Sequence, residues 1–260
     1  MFPLMTVELA ARAARLRELH ESGLLVIPNV WDAATAKLFE ELGFPAVATA
    51  SAAVCASLGY PDGSEIPPGE MFAAVGRIAA STEVPVSADL EDGYGIDPDE
   101  LIESLLATRA VGLNIEDTDH AEGRLMDAEE QAARLAAIKS AGSRAGVEVM
   151  LNARIDEAPV RSGPEPLRGL LHRAKLYSQA GADCLYPIRL QEEEHIRAFT
   201  HSAGAPVNVL IRPGSPSLRR LRDLGVRRAT FGPALHRVAL NALAEFARGL
   251  DIDSEQPVFR

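Results

Sequence analysis

"SADLEDGYG", residues 87–95, carries an apolar run into three carboxylates and then a glycine-rich turn. The run it ends, "VPVSADL" (84–90), has the composition of a short strand buried on both faces. Asp89, Glu91 and Asp92 therefore fall where such a strand runs out. Carboxylates placed there cost free energy unless a cation or hydrogen-bond donors meet them. Side chains alternate across a strand, so Asp89 and Glu91 share one face if the strand persists. Asp92 then faces the other way or enters the turn.

Outward from this stretch the same grammar repeats. Strand-like runs occupy 24–30, 45–50, 111–116, 147–154, 183–188, 206–211 and 227–232 as well. Between them lie helical stretches such as "AATAKLFEELG", "PDELIESLLATRA" and "DAEEQAARLAAIKSAG". Asp32 and Asp97 are predicted helix caps, Pro98 sits just inside its helix, and Gly43, Gly142 and Gly181 are predicted helix stops. Eight strand–helix units predict an α/β chain folded as a (β/α)8 TIM barrel. The alternative is a doubly wound open sheet, which usually carries a glycine-rich phosphate loop after its first strand; "IPNVWDAATA" is not one. No linker splits the chain. One domain is predicted over 1–250, opened by an amphipathic helix, with a C-terminal tail at 251–260 that shows no clear pattern. The longest turn-rich stretch, "ASLGYPDGSEIPPGE" (56–70), follows the second strand, where a barrel would use it as a flap over its mouth.

Composition narrows the function. Of 260 residues, 47% are hydrophobic and 24% charged, enough apolar mass for a sizeable core. A formal net charge of −11 argues against a nonspecific nucleic-acid binder, yet leaves room for an acidic small molecule met by a local arginine or metal. Cys55 and Cys184 form neither a disulfide framework nor a CxxC site and read as buried free thiols. No stretch is long and apolar enough to span a membrane, so a cytoplasmic protein is the default expectation.

The carboxylates converge if the strands do. "NIED" (114–117) ends the fourth strand and brings Glu116 to the same end, and Asp62 on the 56–70 stretch can reach over it. A hard divalent cation, Mg2+ or alternatively Mn2+, would relieve the clustered charge, with Asp89 as direct ligand and Glu91 and Glu116 holding metal-bound water. The competing reading is a set of strand-end carboxylates that cap helices or pair with arginines. Arg154, in "LNARID", suits bidentate capture of a substrate carboxylate, or else pairs with Glu116 or Asp156. Arg212, in "LIRPGSP", is a second carboxylate candidate or a surface arginine. The small residues Ala50, Ser51 and Ala52 in "TASAAV" allow backbone N–H groups to approach a substrate oxygen, or reflect tight packing. His120 is an acid or base near Glu116, or a solvated loop histidine.

Together "NVWDAATAKLFEELGF", "ASLGYPDG", "SADLEDGYG", "NIEDT" and "NARID" resemble the isocitrate lyase / phosphoenolpyruvate mutase superfamily, over about residues 23 to 240. The resemblance implies a barrel with a mobile loop after strand 2, Mg2+ at the mouth and an eighth helix exchanged between subunits. It further implies a homodimer or homotetramer acting on small 2-oxo or 2-hydroxy acids through an enolate. Carried across, Asp89 stands for the direct metal ligand, Glu91 for an aspartate of many relatives and Glu116 for the outer-sphere carboxylate. Arg154 stands for the substrate-carboxylate arginine, Asp62 for the gating aspartate, and Ala50 for a serine of some relatives, with Ser51 adjacent. The chain departs from the family's lyases where it has "EDTDHAEGRLMD" (116–127) in place of a cysteine motif, and from its mutases in the short loop there and in "YPIRL" after strand 6. The expected function is a Mg2+-dependent carbon–carbon lyase or decarboxylase acting on a small 2-oxo or 2-hydroxy di- or tricarboxylic acid. The alternatives are phosphorus–carbon mutase or hydrolase chemistry, or a non-catalytic barrel that binds a 2-oxo acid.

Overall fold

Residues 3–63, 65–158 and 167–250 are described by the computed structural model; the predicted tail at 251–260 lies outside them. The chain opens with α1 (Pro3–Glu21), then β1 (Leu25–Val26), β2 (Asn29–Val30), α2 (Ala33–Glu41) and β3 (Val47–Thr49). Next come α3 (Ser51–Leu58), α4 (Pro68–Ala80), β4 (Val86–Asp89), α5 (Pro98–Ala107) and β5 (Gly112–Glu116). A small hairpin, β6 (Thr118–Asp119) and β7 (Arg124–Leu125), precedes α6 (Ala128–Arg144), β8 (Met150–Ile155), α7 (Arg168–Gln179) and β9 (Cys184–Pro187). The chain ends with α8 (Glu193–Ser202), β10 (Asn208–Leu210), α9 (Leu218–Asp223), β11 (Arg228–Thr230) and α10 (Ala234–Arg248).

Every predicted strand run contains an observed strand, and the alternation with helices makes the pairing parallel. The run at 24–30 is split in two around Pro28, which has no N–H to give to a ladder. Strands run in the order β2-β3-β4-β5-β8-β9 in one sheet and β1-β11-β10 in the other. A parallel bridge between Leu185 and Val207 links β9 to the residues entering β10. At the other junction Asn29 does the linking. Its Nδ2 donates to the Thr49 carbonyl at 2.8 Å, and its Oδ1 accepts from the N–H groups of Phe231 and Gly232 at 2.7 and 2.9 Å.

One contiguous cluster of buried apolar side chains runs from Leu9 to Val226. The inward face of α1 supplies Leu9, Ala13, Leu16 and Leu19, the three-to-four spacing of an amphipathic helix. Gly112 makes room for it: a Cβ there would lie 2.8 Å from Leu16 Cδ2 and 3.1 Å from Ser87 Oγ. Among the described residues no helix is long and apolar enough to cross a membrane.

The predicted caps hold. Asp32 accepts from the Thr35 N–H in a capping box, and Asp97 accepts from the Asp99 N–H ahead of Pro98. Gly43 and Gly181 follow their helices at φ 84° and 94°. Gly142 does not stop its helix, which continues to Arg144; Gly146, at φ 76°, follows it instead. The lack of a side chain at 142 answers packing, because a Cβ would meet the Val147 carbonyl at 2.9 Å. The turn-rich stretch at 56–70 is also shorter than predicted. Residues 56–58 belong to α3 and 68–70 to α4, since Gly59 at φ 85° is the true helix stop and Pro68 the next helix start.

Asn29→Ala leaves one buried carbonyl and two backbone N–H groups without their partner. It is expected to cost about 3 kcal/mol, read in urea as a lower midpoint at unchanged m value.

Candidate functional site

Parallel pairing sets the site. Asp89 lies beside Asn114, Asn114 beside Asn152, Glu116 beside Arg154, and Arg154 beside Tyr186. The carboxyl ends of β4, β5, β8 and β9 therefore present their last side chains together. Asp89 is half-buried. Its Oδ2 accepts from both the N–H and the hydroxyl of Ser51, each at 2.9 Å, and its own N–H donates to Thr49 Oγ1 at 2.8 Å. Its Oδ1 has no hydrogen bond among the described residues.

This corrects the expectation for the segment 50–52. Ala50 is the buried N-cap of α3, and the Ser51 N–H is committed to Asp89, so it does not stand free for a substrate oxygen. The Ala52 N–H lies in the first turn of the same helix, where N–H groups have no intrahelical acceptor, and no backbone acceptor meets it among the described residues. A second correction concerns alternation. β4 stops at Asp89, and Glu91 is left-handed at φ 51°, so no strand carries its side chain to the same face. A turn brings it there instead. Glu91 is buried and its Oε1 accepts from the Gly63 N–H at 3.1 Å, which fastens the loop between α3 and α4 to the site. Tyr94 is left-handed too, at φ 58°, and such conformations in side-chain-bearing residues cluster at functional sites. Asp92 turns away toward the hairpin, accepting from the N–H groups of Tyr94 at 2.8 Å and His120 at 3.3 Å.

Glu116 is nearly inaccessible and sits between two cations. Arg154 pairs with its Oε2 and His120 Nε2 bonds its Oε1. Arg154 also reaches Asp156, with Nε at 2.9 Å and Nη2 at 2.7 Å from Oδ1. Arg154 is thus ion-paired with Glu116 and Asp156, within electrostatic reach of Asp89. Burial pushes the Glu116 carboxyl up to about 7, against the opposing pull of His120 and Arg154. Its carboxylate in turn holds His120 well above the ordinary histidine value. His120 is thus no solvated loop residue. Its spacing, four residues after Glu116 with a turn between, was the signal for that contact.

Asp62 stands exposed at the rim. Burial of its carboxyl group and the charge of Asp89 raise it, while Arg154 and His120 pull the other way. Arg212 is not drawn into the cluster. Its Nη2 donates to the Ile188 carbonyl and no carboxylate lies within ion-pair distance among the described residues. Behind the hairpin, buried Asp117 accepts from Tyr177 at 2.8 Å, Arg173 at 3.1 Å and the Asp156 N–H at 2.8 Å. That network anchors the start of the hairpin against α7. A cavity of about 710 Å³ opens beside His120, walled by Gly63, Tyr94, Gln131 and Arg134 among others. Both cysteines are free and buried, with thiols pushed up to about 12 by burial, so each is protonated and inert at neutral pH.

Among the described residues no three His, Cys, Asp or Glu side chains converge as a ready metal cage. The donor set at the strand ends is nonetheless all oxygen: Asp89, Glu91, Glu116 and Asp62. The mutual repulsion of Asp62 and Asp89 favours a cation there. Such a set fits a hard divalent ion that keeps several waters and takes one or two carboxylates directly.

The His120–Glu116 contact has a definite pH signature. A histidine raised in the folded state stabilises the fold below its unfolded value, near 6.5, and loses that contribution as pH rises through the folded value, about 9. The stability difference between wild type and His120→Gln should therefore be present at pH 7 and shrink as pH rises through about 9. Thermal melts of both proteins from pH 6 to 9.5 check it.

A family model, phosphoenolpyruvate phosphomutase, matches residues 16–250. A 2-methylisocitrate lyase of Aeropyrum pernix is 30% identical over 241 residues, spanning 87% of this chain and 76% of that protein. An oxaloacetate decarboxylase of Pseudomonas fluorescens is 27% identical over 231 residues, spanning 85% and 78%. A crystal structure of a Burkholderia cenocepacia J2315 protein is similar with TM-score 0.85 at 37% identity, covering 91% of this chain and 99% of that one. The strand order, the acidic strand ends and these matches agree: the chain belongs to the phosphoenolpyruvate phosphomutase family, within the superfamily that its motifs resemble.

Proposed function

We propose that this protein is a divalent-metal-dependent enzyme that breaks a carbon–carbon bond in a small 2-oxo or 2-hydroxy di- or tricarboxylic acid, as a lyase or decarboxylase. One observation carries the reading: a half-buried guanidinium, Arg154, laid between the carboxylates of Glu116 and Asp156 and within electrostatic reach of Asp89. The lyase and decarboxylase relatives lend it support. Asp89 would hold Mg2+ or Mn2+ directly, with Glu91 and Glu116 ordering its water. When bound, the ion supplies Lewis-acid polarisation of the substrate's C2 oxygen.

The remaining chemistry belongs to the chain. Arg154 neutralises a substrate carboxylate, exchanging part of its contact with Glu116 or Asp156 for the ligand. The Ala52 N–H, at the positive end of α3, adds a donor for developing negative charge. In a 2-oxo acid that loses CO2, the electron pair of the broken bond stays on the 2-oxo fragment as an enolate. In a 2-hydroxy acid, C2 becomes the carbonyl as its hydroxyl proton passes to a carboxylate of the cluster, and the pair leaves on the other fragment as the enolate of its carboxylate. Either way that fragment needs a proton at carbon. His120, kept protonated by Glu116, is the proposed donor. Asp62 and Gly63 close from above and exclude water, with the Gly63–Glu91 hydrogen bond as the latch. Phosphorus–carbon chemistry finds less support, because Arg124, in the hairpin, is exposed and paired with Glu122.

We further propose that 1–250 forms one closed (β/α)8 domain that lends its last helix to a second copy. Only His236 of α10 is buried, while Val238 and Leu243 are each 63% exposed. Leu38 on α2 and Leu42, its C-cap one turn later, are left uncovered too. A homodimer or homotetramer would cover both faces.

The deciding assay offers oxaloacetate, 2-methylisocitrate, 2,3-dimethylmalate and phosphonopyruvate with and without Mg2+. Metal-dependent cleavage of one of the first three is expected, and turnover of phosphonopyruvate alone would replace the reading. Asp89→Ala should abolish Mg2+ binding in calorimetry with the fold intact. Arg154→Ala should weaken dicarboxylate binding by about 10- to 100-fold, the loss of one charge-assisted contact. In light scattering, Leu243→Asp should shift the assembly toward monomer.

A further inference from the structure

Arg228, at the start of β11, is the largest side chain that is fully buried. It has no ion pair among the described residues. Its single side-chain hydrogen bond runs from Nη2 to Ser87 Oγ at 3.2 Å, and Nε and Nη1 are buried without partners. A cation so placed is costly, and proteins keep such groups where charge is used. Its position is informative. Ser87 and Asp89 lie two residues apart on β4 and so face the same way, separated by about 6–7 Å along the strand. The guanidinium therefore lies one pleat beneath the carboxylate at the centre of the site.

Its surroundings leave that carboxylate as its counter-charge. The titratable groups near enough to influence it are Cys184, Tyr186, Asp89 and His20. Burial pushes the Cys184 thiol and the Tyr186 phenol up to about 12 and His20 down to about 4, so all three are neutral at pH 7. Nothing on α1, β4 or β9 other than Asp89 offers Arg228 an anion.

We propose that Arg228 is a positioning residue of the site: a fixed buried cation beneath Asp89 that strengthens binding of an anionic carboxylate at the strand ends and weakens binding of the divalent cation. This rests on the proposed metal-dependent reading. Its signature is a pair of opposite effects, which a merely structural residue would not produce, because loss of packing weakens both ligands together.

The test is calorimetry on the full chain, with Mg2+ alone and then with oxalate as a stable dianion at saturating Mg2+. Arg228→Met keeps the volume and removes the charge. It should bind Mg2+ more tightly and oxalate more weakly, each by about tenfold if one unit of charge acts through the partly screened interior. Arg228→Lys keeps the charge and should stay near wild type in both. Arg228→Gln removes the charge and keeps an N–H donor for Ser87 Oγ, so it should shift both affinities in the directions of Arg228→Met, and it decides the matter if that variant does not fold. Parallel losses for both ligands, or no change in either, would overturn the role of Arg228 while leaving the functional reading intact. A wild type that binds no Mg2+ sinks the functional reading and this inference with it.

Discussion

Glu116 and Arg154 face each other because β5 and β8 pair in parallel at that register, and much of the site depends on this pairing. An ion pair taken out of water is stable only while both members remain; losing one typically costs about 3–5 kcal/mol. Glu116 thus holds Arg154 among the carboxylates, and Arg154 pulls Glu116 back toward its ionised form against its burial. Everything nearby attaches to that pair. His120 bonds the free side of Glu116, Asp156 braces the far side of Arg154, and Thr118 donates to Asp156 at 2.9 Å. The hairpin at β6 and β7 is pinned from beneath by these contacts and from behind by Asp117, Arg173 and Tyr177.

The fold was legible because its signal is periodic. Each buried strand is a short apolar run, most helices have a cap or a glycine stop, and the alternation dictates parallel order. Where the reading slipped, packing had overridden local chemistry. Gly142 looks like a helix stop, yet it is small so that Val147 and Val149 can approach. The stretch at 56–58 has the look of a loop, yet it finishes α3, because Gly59 and not the preceding small residues breaks the helix. The hairpin within 116–127 left no pattern at all, being two residues per strand.

The site divides differently. Asp89, Glu116 and Arg154 could be found from sequence because they end strongly apolar strands, where a charge stands out. Strand alternation does not explain Glu91, which reaches the site by a left-handed turn. Arg212 was a loop arginine of the right type in a place the fold directs to the Ile188 carbonyl. Arg228 was invisible for the opposite reason. In "GVRRATFG" it reads as one of two surface arginines, and only the pairing of β11 between β1 and β10 turns it inward.

That inward turn bears on why the acidic cluster does not need a ready-made cage. Four carboxylates gathered at one mouth, two from strand ends, one from a turn and one from a loop, would without cations of their own bind a divalent ion tightly and repel a dicarboxylate. The chain has placed two arginines among and beneath them, one at the rim of β8 and one in the interior at β11. Each lowers the local negative potential, so that metal binding weakens while anion binding gains. The proposed site, which would hold a cation and a dianion at once, requires this balance, because tight binding of either alone leaves too little field for the other. The mixed charge at the strand ends is therefore better understood as one electrostatic compromise than as a metal site with an arginine added to it.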